Sequence, residues 1–209
     1  MAETIGKIEK PPAEDYQKGR RLFFVPLVYS GKDAPPEYAA KYDAYWPPVD
    51  NQLKDLEAKL GKVNRIYHEL IPAGGEDGLK ALQELHEKSH RIVKARVEAG
   101  AQLEATEDAY LLTEFLDWGR CLAVGLQNEK VFNQVYQTYV EAGKKRNEFI
   151  AGQINLTLKA DEIGLLFMRE GHQVQFPGDI QVFYISPPEL DHLKRWLRDR
   201  EATSGDAKP

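Results

Sequence analysis

The chain lacks the features that would place it in a secreted, disulfide-rich or membrane class. Its 209 residues contain one cysteine, so an internal disulfide is excluded, and with it a disulfide-stabilised secreted scaffold. No apolar run approaches the roughly 18 residues that a membrane-spanning helix requires. The amino-terminal sequence is polar and mixed in charge, without the apolar centre of a secretory signal. We therefore expect a cytoplasmic protein that has no contact with membranes.

Neither sign of charge dominates the composition. The chain has 28 lysines and arginines against 33 acidic residues, a net charge of -5, so a broad nucleic-acid-binding surface is not expected. A local basic group does occur near the end of the chain, and binding of RNA or of an acidic partner there is an alternative hypothesis. Its members are Lys194, Arg195, Arg198 and Arg200.

Proline is absent from the whole stretch between Pro72 and Pro177. Long helices are free to form there, and apolar residues recur at helical spacing, so we predict a helical middle over residues 76–160. Eight of the twelve prolines occur in pairs, each of which blocks a helix from continuing. Pro47-Pro48 thus predicts a break between a short helix at 37–45 and the helix that follows.

Apolar, β-branched stretches predict about four strands. They cover residues 21–29, 62–71, 163–168 and 180–185. Strands that alternate with helices favour an α/β fold, here a small, mostly parallel sheet with a large helical insertion between its second and third strands. Only eleven residues, 169–179, join the last two strands, which is barely enough for the crossover that parallel pairing requires. The alternative is a short strand at 173–176, which would give an α+β fold with an antiparallel carboxyl-terminal meander.

The predicted organisation is a single α/β domain over residues 21–200. A flexible arm precedes it at 1–20, and a disordered tail follows it at 201–209. Within the helical middle, Thr106 is the expected N-cap of a helix, because its hydroxyl precedes acidic residues. Cys121 falls in an apolar helical pattern, which predicts a small buried side chain rather than a nucleophile.

One motif in the helical middle suggests metal chemistry. Residues 86–90 read His-Glu-Lys-Ser-His, which matches the HExxH pattern. Residues four apart share a helix face, so His86 and His90 would both direct a ring nitrogen at one zinc ion. Glu87 would then take a proton from water bound to the metal.

In these five residues the sequence resembles the zincin metallopeptidases. That resemblance implies a zinc-dependent hydrolase, with Glu87 as the catalytic base and a third ligand supplied by a helix downstream. By position, Glu114 is the residue that the resemblance assigns as this ligand. Zinc is the one cofactor that the sequence suggests, and we otherwise expect none.

A second candidate site follows from the predicted sheet. Parallel strands bind ligands beyond their carboxyl ends, so the residues that follow the strands would share one rim. Candidate ligand-binding residues there are Tyr29, Ser30, Glu69, Arg169 and Ser186. Glu170 and His172 form a candidate acid–base pair on the same rim.

The sequence alone assigns no activity. The interpretation that best fits it is a protein that binds a small molecule or a protein partner at this rim, and the zinc-dependent hydrolase is the alternative. The long amphipathic helices also suggest a homodimer. Substrate and ligand identity are left open by these residues.

Overall fold

The computed structural model describes residues 18–205, and for 201–205 only the backbone. The strands are β1 (Arg20–Pro26), β2 (Arg65–His68), β3 (Gln102–Leu103), β4 (Ile163–Met168) and β5 (Ile180–Tyr184). The helices are α1 (Pro36–Leu60), α2 (Gly75–Leu85), α3 (Glu87–Glu98), α4 (Ala109–Ala123), α5 (Glu129–Thr157) and α6 (Pro188–Gly205).

All five strands form one parallel sheet in the order β3-β2-β4-β1-β5. The predicted α/β fold with a mostly parallel sheet is confirmed, but within residues 18–205 the sheet has five strands rather than about four. The missing strand is β3, which is only two residues long and interrupts the helical insertion between the second and third predicted strands. So short a segment carries no period that a sequence pattern can reveal.

The antiparallel meander is wrong. Residues 173–176 form no strand, and β4 and β5 are not neighbours, since both pair in parallel with β1, which lies between them. β1 and β4 supply the centre of the sheet. Every residue of β4 is buried, as expected for a strand that is covered on both faces.

Alternating strand residues divide the core into two layers. Phe23, Leu165 and Phe167 face the layer formed with α1, α2, α3 and α6. Phe24, Leu166 and Met168 face the opposite layer, where Ile150 and Ile154 of α5 cover the sheet. Any residue that follows a strand is therefore directed to one layer or the other by its position in this alternation.

The prolines Pro47 and Pro48 do not break the first helix. They lie inside α1, which is continuous over 25 residues. Tyr45, Trp46 and Val49 are buried around them, and this packing outweighs the two hydrogen bonds that proline cannot donate. The predicted break is therefore wrong, because tertiary burial overrides a local signal.

The chain ends and one side chain also differ from expectation. Residues 1–17 of the predicted arm and 206–209 of the predicted tail lie outside the described residues. β1 begins at Arg20 and α6 continues to Gly205, so regular structure extends past both predicted domain limits.

Cys121 is exposed on α4 rather than buried. Among residues 18–205, no helix has both the length and the apolarity to cross a membrane.

Gly78 provides a test of this packing. A Cβ placed on Gly78 of α2 would overlap the carbonyl oxygen of Ala73, a backbone atom that cannot move aside. We expect Gly78→Ala to lower the free energy of unfolding by about 1–3 kcal/mol, as for other overpacked sites. Urea denaturation measures the change.

Gly152 is the matched control, because it lies in α5 and a Cβ added there would meet open space. Gly152→Ala should raise the free energy of unfolding by about 1 kcal/mol, the difference in helix propensity. If both substitutions stabilise the protein, the close contact at Gly78 is contradicted.

Candidate functional site

A cavity of about 410 Å³ lies where β2 and β4 end, beneath α4 and α5. This volume falls within the range of ligand-binding pockets in proteins, and the carboxyl end of a parallel sheet is where such pockets form. Its walls combine aromatic rings with charged and amide side chains. The lining residues are Glu69, Phe115, Tyr136, Tyr139, Val140, Gly143, Lys144, Arg146, Asn147, Met168, Arg169, Gly171, His172 and Gln173.

Glu69 is the most deeply buried charged group of the lining. It follows β2, and strand alternation directs it to the α5 layer together with Tyr67. Its relative exposure is 1%, yet its contacts are long. Oε1 accepts a hydrogen bond from the Tyr29 hydroxyl at 3.3 Å and lies 3.2 Å from Nε of Arg169, while Arg146 lies 3.8 Å from Oε2.

Arg146 is held much more tightly by a second carboxylate. Its guanidinium donates to Glu107 through Nε, at 2.9 Å to Oε2, and through Nη2 to Oε1. Glu107 also accepts from the backbone N–H of Leu70 at 3.0 Å. The Arg146 guanidinium lies 5.1 Å above the ring of Phe115. This pair joins α5 to the loop before α4 and to the turn after β2.

Arg169 lines the cavity with a guanidinium that is only partly engaged by other side chains. Its Nε contacts Glu69, and its side chain is 51% exposed. In the part of the chain that the structure describes, neither of its two Nη atoms has a hydrogen-bond acceptor. Glu69 thus orients an arginine fork whose remaining donors suit a carboxylate or phosphate group.

Burial changes the acid–base properties of the cavity. Desolvation raises the pKa of Glu69, and the charges of Arg169 and Arg146 oppose that increase. The pKa of Tyr29 is also raised, first by burial and then by the nearby charge of Glu69. Burial lowers the pKa of His172. Shifted titration at a polar cavity is typical of functional sites.

The structure brings only some of the predicted rim residues together. Tyr29, Glu69 and Arg169 form one hydrogen-bonded group. Glu69, Arg169 and His172 line the cavity, whereas Tyr29 is joined to it only through Glu69. Nδ1 of His172 accepts from the N–H of Val174 at 3.2 Å, so Nε2 carries the ring hydrogen.

Three other predicted rim residues do not line this cavity. Glu170 forms an ion pair with Lys194 of α6 at 2.7 Å, so it is not the partner of His172. Ser30 is half-buried after β1, and Ser186 is exposed after β5. Ser186 follows the edge strand β5, which β4 and β1 separate from β2, whereas Ser30 adjoins Tyr29 but is not part of the lining.

The HExxH motif does not lie on one continuous helix. The chain leaves helical geometry at His86, with φ -155° and ψ 85°, and His86 is the N-cap of α3. Its ring accepts from the N–H of Ser89 through Nδ1 at 3.2 Å. Because Nδ1 accepts, Nε2 carries the hydrogen and donates to the carbonyl of Val28 at 2.9 Å. Both nitrogens are therefore engaged within the protein.

His68 extends this buried network into the sheet. Its Nδ1 donates to the carbonyl of Glu69 at 2.7 Å, which leaves Nε2 to accept from the Ser89 hydroxyl at 3.0 Å. The same hydroxyl lies 2.9 Å from Nδ1 of His86, and Tyr42 contacts Nε2 of His86 at 3.2 Å. Two histidines and a serine thus fasten α3 to β2 and to the loop after β1.

The remaining residues of the zinc prediction are also kept apart. Glu87 is exposed and pairs with Arg91 on α3. Glu114 lies on α4, which packs against α5 across the sheet from α3. His90 is buried on α3, and its backbone N–H bonds to the carbonyl of His86. Across residues 18–205, no three His, Cys, Asp or Glu side chains are grouped so as to hold a metal ion.

Thr106 and two of the basic residues of α6 also have structural partners. The helix α4 is capped by Asp108, whose side chain accepts from the N–H of Leu111, and not by Thr106. Thr106 is buried and its hydroxyl accepts from the N–H of His68 at 2.9 Å. On α6, Lys194 pairs with Glu170, and Arg200 lies over the ring of Trp196.

Sequence reasoning missed Arg146, Glu107 and the aromatic wall of the cavity. Arg146 belongs to a run of basic residues that predicts a solvated helix face. One signal did point inward, since Arg146 is spaced by four residues from both Ala142 and Ile150, which are buried. For Glu107 no such signal exists, because its burial depends on a turn 37 residues earlier in the chain.

Comparison with known proteins gives no match. No protein-family model fits the chain, and neither a curated protein nor a solved structure is similar to it. The function is therefore inferred from the geometry of the cavity.

Arg146 offers a direct test of the buried ion pair. Arg146→Met would leave the carboxylates of Glu107 and Glu69 without their shared buried partner. We expect a loss of about 3–5 kcal/mol in the free energy of unfolding, the usual cost of breaking a buried pair. Arg120→Met is the control, since Arg120 pairs with Asp117 at an exposed site and should change stability by less than about 0.5 kcal/mol. Equal effects would contradict the assignment.

His68 makes folding stability depend on pH. Burial lowers the pKa of His68 from 6.5 to about 3, so the unfolded chain binds a proton that the folded protein rejects. This contribution to stability is present above pH 6.5 and is lost as the pH falls toward 3. The free energy of unfolding should therefore decrease between about pH 6.5 and 5. In His68→Gln we expect this decrease to be smaller by about 2 kcal/mol, as measured by urea denaturation.

The exposed His192 on α6 provides the control for this measurement. His192→Gln should reproduce the pH dependence of the unsubstituted protein. An unchanged slope in His68→Gln would show that His68 is not the group responsible.

Proposed function

We propose that the protein binds a small organic anion in the cavity at the carboxyl end of its sheet. The observation that carries this proposal is the fork of Arg169, which is oriented by the buried Glu69 and has no acceptor for its Nη atoms among the described residues. The lining contains three cationic side chains and one carboxylate, and since Arg146 is paired with Glu107, Arg169 and Lys144 are the cations that favour a negatively charged ligand. The cationic side chains are Lys144, Arg146 and Arg169.

The buried charge of Glu69 supports a functional rather than a structural role. Burial of a carboxylate costs free energy, and a well-packed apolar side chain would serve the fold at least as well. Arg146 already has a complete partner in Glu107, so it does not require Glu69. What Glu69 provides is the position of Arg169, and a fixed arginine is useful where a planar anion must be recognised.

Other side chains of the cavity suit the organic part of such a ligand. Tyr136 and Tyr139 offer ring surface, and Asn147 and Gln173 offer amide donors and acceptors. The Nε2–H of His172 is a further donor. The function proposed is therefore recognition of a small molecule that has one anionic group and an apolar or aromatic body.

Isothermal titration calorimetry with charge-matched probes tests this function. Benzoate and phenyl phosphate should bind, whereas benzamide and benzylammonium, of similar size but without negative charge, should not. Arg169→Ala should weaken benzoate binding roughly 10- to 100-fold, the loss expected for a hydrogen bond to a charged group. Arg198→Ala, an exposed arginine on α6 paired with Asp199, should bind benzoate with unchanged affinity.

Two results would contradict the proposal. One is equal binding of benzoate and benzamide, which would mean that charge is not recognised. The other is unchanged benzoate affinity in Arg169→Ala, which would remove the arginine fork from the site.

A further inference from the structure

An apolar stripe on α5 is about half exposed to solvent. Phe132, Tyr136 and Val140 follow one another at intervals of one helical turn and are 41%, 50% and 49% exposed. The rings of Phe132 and Tyr136 lie nearly parallel, with centroids 6.0 Å apart. Single exposed apolar residues are ordinary on a protein surface, but three in a row on one helix face form a continuous patch that suits a ligand or partner.

The stripe is continuous with the cavity. Tyr136 and Val140 line the cavity, and Phe132 extends the same face one turn beyond it. The buried residues of α5 begin only at Ala142, so the amino-terminal half of the helix projects past the layer that covers the sheet. The cavity therefore opens at one side onto an apolar track about 12 Å long, from the rise of eight helical residues.

The charges lie at the opposite end of this track. Lys144, one turn beyond Val140 toward the sheet, lines the cavity together with Arg169. Along α5 the surface thus changes from cationic at Lys144 to apolar at Phe132. A ligand that matches this order has a negative group at one end and an extended apolar chain at the other.

We propose that the ligand is an amphipathic organic anion, with its charged group at Arg169 and Lys144 and its chain along Val140, Tyr136 and Phe132. This inference rests on the proposed function and adds the chemical class of the ligand. The stripe and the cavity share two residues, so a single molecule of this class can contact both.

A series of straight-chain carboxylates tests the inference. Butanoate, hexanoate, octanoate and decanoate carry the same anionic group and differ only in chain length. A fully buried methylene improves affinity roughly fourfold, and a chain on a half-open stripe should gain about twofold per methylene. Calorimetric dissociation constants, measured below the micelle concentration of each probe, should fall accordingly from butanoate to decanoate.

Two matched variants locate the chain. Phe132→Ser should reduce the ratio of decanoate to butanoate affinity by about fourfold or more, since the last part of the track loses its apolar surface. Val131→Ser is the control, because Val131 is the neighbouring exposed apolar residue of α5 but lies on another face and does not line the cavity. Its affinity ratio should equal that of the unsubstituted protein.

The outcomes separate this inference from the proposed function. If butanoate and decanoate bind equally and both need Arg169, the function stands and the amphipathic ligand is refuted. If none of the carboxylates binds, the function fails and the inference fails with it. If sedimentation shows a dimer that Phe132→Ser dissociates, the stripe is an interface between two copies and the inference is overturned.

Discussion

The buried ion pair between Arg146 and Glu107 is the interaction on which the candidate site depends. Arg146 belongs to α5 and Glu107 to the loop before α4, so the pair fixes the α4–α5 hairpin to the end of the sheet. Glu107 also holds the turn after β2 through the N–H of Leu70, a residue with a φ of +68°. The pair thus holds α5 and the turn after β2 around the carboxylate of Glu69, which lies 3.8 Å from Arg146.

From this pair a chain of charged groups leads outward to the cavity surface. Glu107, Arg146 and Glu69 are all buried, and Arg169 is half exposed at the surface. Each charge neutralises part of the next, which reduces the cost of burying a chain of ionic groups. The last member, Arg169, is the one with donors still unused, and it is the group that meets the ligand.

The two histidine-containing segments illustrate how a motif and a structure diverge. His86 and His90 satisfy the spacing of a zinc-binding helix, but the helix ends at Leu85 and begins again at Glu87. A hydrogen bond from the N–H of Ser89 to the His86 ring is a local capping interaction that the pattern does not encode. His68, distant in sequence, completes the network through Ser89, and these hydrogen bonds account for the positions of the His68 and His86 rings.

The sequence by itself determined much about this protein. Periodic apolar residues and the proline-free middle predicted strands alternating with helices and favoured an α/β fold with a mostly parallel sheet, while an antiparallel meander stayed open until the structure excluded it. They also marked Tyr29, Glu69, Arg169 and His172, since residues that follow parallel strands meet at one edge. These predictions required only that the carboxyl ends of the strands share one rim.

Only the tertiary structure decided which of those residues meet. The order β3-β2-β4-β1-β5 brings the ends of β2 and β4 together and leaves Ser186, after β5, at a distance. In the tertiary structure Arg146 is buried, although its run of basic residues predicted a solvated position. Cys121 is exposed, although its apolar helical pattern predicted burial. The physical reason is that burial and charge pairing depend on contacts between residues far apart in the chain, which no local pattern records.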